Sequence, residues 1–202
     1  MAQPLTAITG ATGNLGSMTA ARLADQGAEL RLIVRNPAQA PAIPGVDVAT
    51  ASDYGATDEL AAALKGVDTL FFVSASESED RLQKHYSVVD AAVAAGVQRI
   101  VYTSFCGAAP DATFTLARDH YATEQAIIQS GIGFVFQRQN IYSDILPLWA
   151  DTQGIIRGPA GRGQLRGGSV HRSAERLDHR PAVRLLVVGR PDLPHLALQP
   201  EH

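Results

Sequence analysis

Between Leu5 and Gln137, six short apolar runs alternate with amphipathic helical stretches, and this rhythm limits the fold more than any other feature of the chain. The strand candidates are LTAIT, ELRLIVR, VDVAT, VDTLFFVS, QRIVYTS and GFVFQ. Several carry β-branched or aromatic residues without interruption, as strands covered on both faces do. Helix candidates fall at 14–26, 58–64, 78–95 and 112–129, with Gly27, Gly66, Gly96 and Gly131 near their ends. The third carries Leu82, Tyr86, Val89 and Val93 at helical spacing, and the fourth spreads Leu116, Ala117, His120, Glu124 and Ile128 around its inward sides. Such alternation predicts an α/β fold: a doubly wound parallel sheet with right-handed crossovers and helices on both faces.

The first strand runs into Gly10-Ala11-Thr12-Gly13-Asn14-Leu15-Gly16 and then a helix. A dinucleotide-binding turn requires that context. Gly10 permits the sharp turn, Gly13 lets the main chain approach a pyrophosphate, and Gly16 lets the helix pack closely on the sheet. Free N–H groups and the positive end of the helix dipole then face the phosphates. A turn that is glycine-rich for its own sake is the alternative, and the flanking strand, helix and alternation weigh against it.

The second strand ends in Val34-Arg35-Asn36-Pro37. An acidic side chain there would hold the ribose 2′-hydroxyl of NAD, whereas Arg35 can fork onto a 2′-phosphate. NADP(H) is therefore the expected cofactor, with NAD less favoured. The competing explanation is an ordinary surface arginine.

Whole-chain totals exclude other classes. The 202 residues carry a net charge of −3, so no broad nucleic-acid surface is expected. Cys106 is the only cysteine, which rules out an intrachain disulfide and agrees with a reducing cytoplasm. No run approaches the ~20 apolar residues of a membrane span, and the start lacks the pattern of a secretion signal. No metal site is expected.

The stretches ITGATGNLG, VRNP, SDYGATDELAAALKGVDTLFFVSAS, AGVQRIVYTS, TEQAIIQSGIGFVFQRQNIYSD and GIIRGPAG together resemble the NmrA-like branch of the atypical short-chain dehydrogenase/reductases, near the type-2 NAD(P)H:quinone reductases. The resemblance runs from about Leu5 to Gly161. It implies a Rossmann sheet of order 3-2-1-4-5-6 with cofactor at the carboxyl ends of the strands. By resemblance the cofactor residues are Gly10, Thr12, Gly13, Asn14, Leu15, Gly16, Arg35, Asp53, Ser74, Ser76 and Asn140. Asp53 would contact adenine or simply cap a loop. Ser74, Ala75 and Ser76 would line the ribose side or serve as turn residues. Family members often carry glycine where Asn140 stands.

Most short-chain dehydrogenases use a tyrosine and a lysine four residues apart on the helix after the fifth strand. The matched positions here are His120 and Glu124, and Tyr121 is about 100° out of phase. A glutamate has the wrong sign to lower a tyrosine pKa. Alcohol oxidation is thus disfavoured. A quinone-like acceptor asks for less, because its product oxygen has a conjugate acid of pKa roughly 10, by analogy with tyrosine, and solvent can protonate it. The expected function is hydride transfer from NADPH to such an acceptor. The alternative is a regulator that binds NADP without turnover and signals redox state to a protein partner. Candidate catalytic residues are Ser104 (substrate polariser or strand-end cap), His120 (proton donor or helix histidine bonded to Glu124) and Tyr142 (pocket wall or core). Cys106 lacks a partner base and is expected to be inert.

Composition changes at Gly161. Beyond it lie seven of the fifteen arginines and four of the six histidines, among prolines, with VRLLVVG the one strand candidate. The expected organisation is a nucleotide-binding domain over 1–160 and an irregular tail over 161–202, the substrate lobe being truncated or replaced. The expected cause of the break is a shifted reading frame near Gly161 to Arg166 or a decayed gene copy; a family-like lobe in one of the other two frames is the test. A basic tail for an acidic partner is the rival. Loss of the lobe would leave core exposed and favour a homodimer.

Overall fold

The computed structural model describes residues 3–140 and Tyr142. The expected boundary at 160 and the tail over 161–202 lie outside the described residues. Residues up to Asn140 form one compact unit. Its elements are β1 (Thr6–Ile8), α1 (Asn14–Asp25), β2 (Leu30–Val34), β3 (Asp47–Thr50), α2 (Thr57–Ala63), β4 (Thr69–Phe72), α3 (Arg81–Ala95), β5 (Arg99–Phe105), α4 (Thr115–Gln129) and β6 (Gly133–Gln139). A short 3₁₀ turn at Pro37–Gln39 joins them, started by the Asn36 side chain accepting from the Ala38 N–H.

The strands pair in parallel in the order β3-β2-β1-β4-β5-β6, the Rossmann arrangement the sequence implies. Ile8 on β1 lies opposite Leu32 on β2 and Phe71 on β4. The order reverses between β1 and β4, and the crevice at that switch point is where doubly wound sheets take ligands. One core packs α2, α3 and α4 against Ala7, Leu70, Phe72, Ile100 and Tyr102. The other packs α1 against Ile8, Leu30, Leu32 and Phe71.

Two elements differ from the sequence expectation. The buried face of α3 is Arg81, His85, Val88, Val89 and Ala92, while Val93 is 49% exposed. The stripe is turned by about one residue from Leu82, Tyr86, Val89 and Val93, because a buried arginine and histidine replace apolar side chains at its first two positions. The fourth strand also stops early. Its candidate ran to Ser74, but the ladder ends at Phe72, and the next N–H groups bond to side chains instead.

Candidate functional site

The glycine turn is built as its spacing suggests. Gly10 sits at φ 62°, where a side chain is strained, and a Cβ there would lie 3.0 Å from Val73 Cβ. A Cβ on Gly16 would overlap the Gly10 carbonyl oxygen and lie 2.7 Å from its carbon, so Gly16 is fixed by packing. Gly13 is different: a Cβ would meet only Gly10 O, at an ordinary 3.4 Å. Gly13 is also the N-cap of α1, without a side-chain cap and with no acid in the first turn. The first N–H groups of the helix have no intrahelical acceptor and suit an anion.

A cleft of about 430 Å³ opens at the carboxyl ends of β1 to β4. Of the expected cofactor residues, Gly10, Thr12, Gly13, Arg35, Asp53, Ser74 and Ser76 line it. Asn14, Leu15, Gly16 and Asn140 do not. Arg35 is exposed on the cleft wall and makes no ion pair or hydrogen bond among the described residues. Asp53 caps its own loop through Gly55 N–H at 2.8 Å, and its other oxygen is 3.4 Å from Lys84 Nζ. Lys84, which also pairs with Asp80 at 3.0 Å, lines the cleft and was not foreseen. Those carboxylates, Asp80 foremost, hold the Lys84 ammonium above its ordinary pKa. Tyr54 closes the cleft floor, its hydroxyl donating to Val73 O at 2.9 Å; burial pushes its pKa up to about 12.

The cleft wall after β4 is tied by side chains from three elements. Thr9 Oγ1 accepts from Val73 N–H at 3.0 Å, Thr103 Oγ1 from Ser74 N–H at 2.8 Å, and His85 Nε2 from Ala75 N–H at 2.9 Å. Among the described residues no buried side-chain polar atom lacks a partner.

Ser104, His120 and Glu124 are buried at the junction of β5 and α4. Ser104 Oγ donates to Glu124 Oε1 at 2.5 Å. Arg138 on β6 clasps both Glu124 oxygens, at 2.9 and 2.7 Å, and the carboxylate raises the guanidinium pKa in return. The cation that neutralises Glu124 thus comes from a neighbouring strand, which spacing along one helix could not reveal. His120 bonds to Tyr102 Oη through Nδ1 at 2.8 Å and to Arg81 through Nε2 at 3.2 Å. An arginine only donates, so His120 Nε2 is the acceptor and Nδ1 carries the proton. Burial first, and Arg81 second, lower its pKa to about 4. His85 is fixed the same way, because a backbone N–H also only donates; burial lowers its pKa to about 2. Cys106 is exposed, and Tyr142, beyond the compact unit, is 47% exposed.

Residues 10–174 match the family described as NAD(P)H-binding. Quinone oxidoreductase 2 of Escherichia coli (strain K12) is 37% identical over 188 residues, covering 90% of this chain and 63% of the relative. The crystal structure of the E. coli NADPH-dependent quinone oxidoreductase complexed with NADPH superposes with a TM-score of 0.69 at 38% identity, over 77% of this chain and 57% of that one. The Citrobacter sp. triphenylmethane reductase complexed with NADP(H) gives a TM-score of 0.67 at 32% identity, over 75% and 56%. The chain spans 53–63% of the length of three curated relatives it matches. No described helix is long and apolar enough to cross a membrane. Strand order, glycine turn and this match over most of the sequence agree, and the chain belongs to the NAD(P)H-binding family.

Proposed function

We propose that the protein binds NADPH in the β1–β4 cleft and serves its transfer of hydride to a quinone-like acceptor. One observation carries the cofactor choice: Arg35 lines the cleft with no ion pair or side-chain hydrogen bond among the described residues, and no acid replaces it at the end of β2. The open face of Gly13 and the uncapped, acid-free start of α1 fit a pyrophosphate. Arg35 fits the extra 2′-phosphate, Asp53 the adenine end, and Ser74 and Ser76 the ribose side. The similarity to quinone and dye reductases supports the acceptor class.

NADPH, when bound, would supply a hydride, one proton with two electrons, and a quinone-like acceptor would need only one further proton, from solvent, to become the hydroquinone. The chain's residues bind and orient. Neutral His120 has its Nδ1 proton committed to Tyr102, and Ser104 has its hydroxyl committed to Glu124. Neither stands ready as an acid, which suits an acceptor that needs none. The same commitment favours a second possibility, an NADP-binding regulator without turnover. NADPH oxidation with small quinones separates the two. The reductase is expected to work in the cytoplasm as a homodimer, which sedimentation reads.

Arg35→Ala tests the cofactor assignment. Fluorescence titration should show NADPH affinity falling by roughly tenfold or more, as for loss of a charge-assisted pair. NADH affinity should hardly change. Equal losses, or none, refute the role of Arg35.

A further inference from the structure

Ala75 has both polar groups of its backbone taken by side chains of one helix. His85 Nε2 accepts its N–H, and Arg81 Nε donates to its C=O, each at 2.9 Å. Arg81 and His85 are four residues apart and share one face of α3. They are 2% and 0% exposed. Burying a guanidinium is costly unless its donors are used. Here the other two nitrogens reach Asp119, at 3.2 Å, and His120, at 3.2 Å. The His85 Nδ1–H donates to Thr123 Oγ1 at 2.8 Å, and that hydroxyl in turn donates a hydrogen bond to the Asp119 carbonyl oxygen. Asp119, His120 and Thr123 all belong to α4, the helix that carries Glu124. Apolar side chains at 81 and 85 could fill the space at less cost, but none could hold a peptide group.

We propose that Arg81 and His85 are positioning residues, which set the Ala75 peptide in the nucleotide cleft before the nucleotide arrives and lock it to α4. The proposal rests on the assignment of that cleft to a nucleotide. A wall ordered in advance has less freedom to lose on binding. Ser74 and Ser76, on either side of Ala75, line the same cleft.

The two contacts of His85 can be removed separately. In His85→Gln the amide oxygen reaches the place of Nε2, so Ala75 N–H keeps its acceptor. In His85→Asn the amide nitrogen stands near Nδ1, so Thr123 keeps its donor while Ala75 N–H loses its acceptor. A structural role alone would lower both melting temperatures and leave the two affinities for NADPH equal. We expect His85→Asn to bind NADPH roughly five- to tenfold more weakly than wild type, the worth of one hydrogen bond. His85→Gln should stay within about twofold. Equal affinities overturn the proposal. Amide exchange in the wild-type protein decides the matter without a variant. Ala75 lies outside every helix and strand, yet its N–H should be protected before NADPH is added, like those of β4. Exchange at the rate of an open loop, slowed only by nucleotide, overturns it. A protein that ignores NADPH but protects Ala75 overturns the nucleotide assignment and leaves the clamp standing.

Discussion

Gly13 and Gly16 look alike in the sequence, and the structure separates them. A methyl group on Gly16 collides with the Gly10 carbonyl, so the fold itself excludes it. One on Gly13 has room at φ −87°, an ordinary backbone conformation. Gly16→Ala should therefore lose about 3 kcal/mol of stability in urea titrations, the upper range for overpacking, or not fold. Gly13→Ala should keep its stability to about 0.5 kcal/mol yet lose NADPH affinity by at least roughly tenfold, because its methyl would stand where a diphosphate must approach. Gly13→Ala binding NADPH like wild type would show that no phosphate lies against that turn. The turn was legible because glycine spacing, strand and helix speak through one local stretch. Arg81 and His85 were not. Each reads as a polar residue on a helix surface, and their purpose exists only where α3 meets the end of β4 and α4.

Among the elements, α4 shows the limit of reading one helix at a time. Its His120 and Glu124 were matched through the tyrosine and lysine positions of the related dehydrogenases, and both are buried, but His120 bonds to Tyr102 and Arg81 and not, as expected, to Glu124. The partner of Glu124 could not be found so, since Arg138 belongs to β6 and reaches it only after β5 and β6 pair from Arg99–Gly133 to Phe105–Gln139. Glu124 is 1% exposed and Arg138 49%. Arg138→Gln would leave a buried carboxylate without its cation. The cost should be about 2 kcal/mol, below the ~3–5 kcal/mol of a fully buried pair, because water already reaches the guanidinium. Glu124→Gln combined with Arg138→Gln should recover part of that loss. A double-mutant cycle in denaturant reads the coupling, and additive single losses would mean that the clasp contributes nothing.

Most of the sheet was readable because four of its five crossovers run strand, helix, strand, with a glycine such as Gly96, at φ 76°, closing α3, while β2 reaches β3 through the 3₁₀ turn alone. What lay hidden was the polar seam through its centre, where His85 and His120 sit neutral among Arg81, Asp119, Tyr102 and Glu124. That seam gives the molecule a pH dependence with a definite sign. Both histidines have folded pKa values below the unfolded value of about 6.5, His120 at about 4 and His85 at about 2. As pH falls below 6.5 the unfolded chain takes up these protons and the native chain does not, so stability drops. Each histidine contributes a slope of up to about 1.4 kcal/mol per pH unit, and the window stays open for His120 down to pH 4. The carboxylates of Glu59 and Asp80, whose pKa values are lowered by hydrogen bonds from Ser52 and Ser78, add losses of the same sign only at lower pH. Urea midpoints measured from pH 7.5 to 4.5 should therefore fall, and the fall should be shallower in His85→Gln, which removes one of the two titrating rings. A midpoint that stays level across that range would mean that both rings accept a proton in the folded state, which an Nε2 facing Arg81 or the Ala75 N–H does not allow.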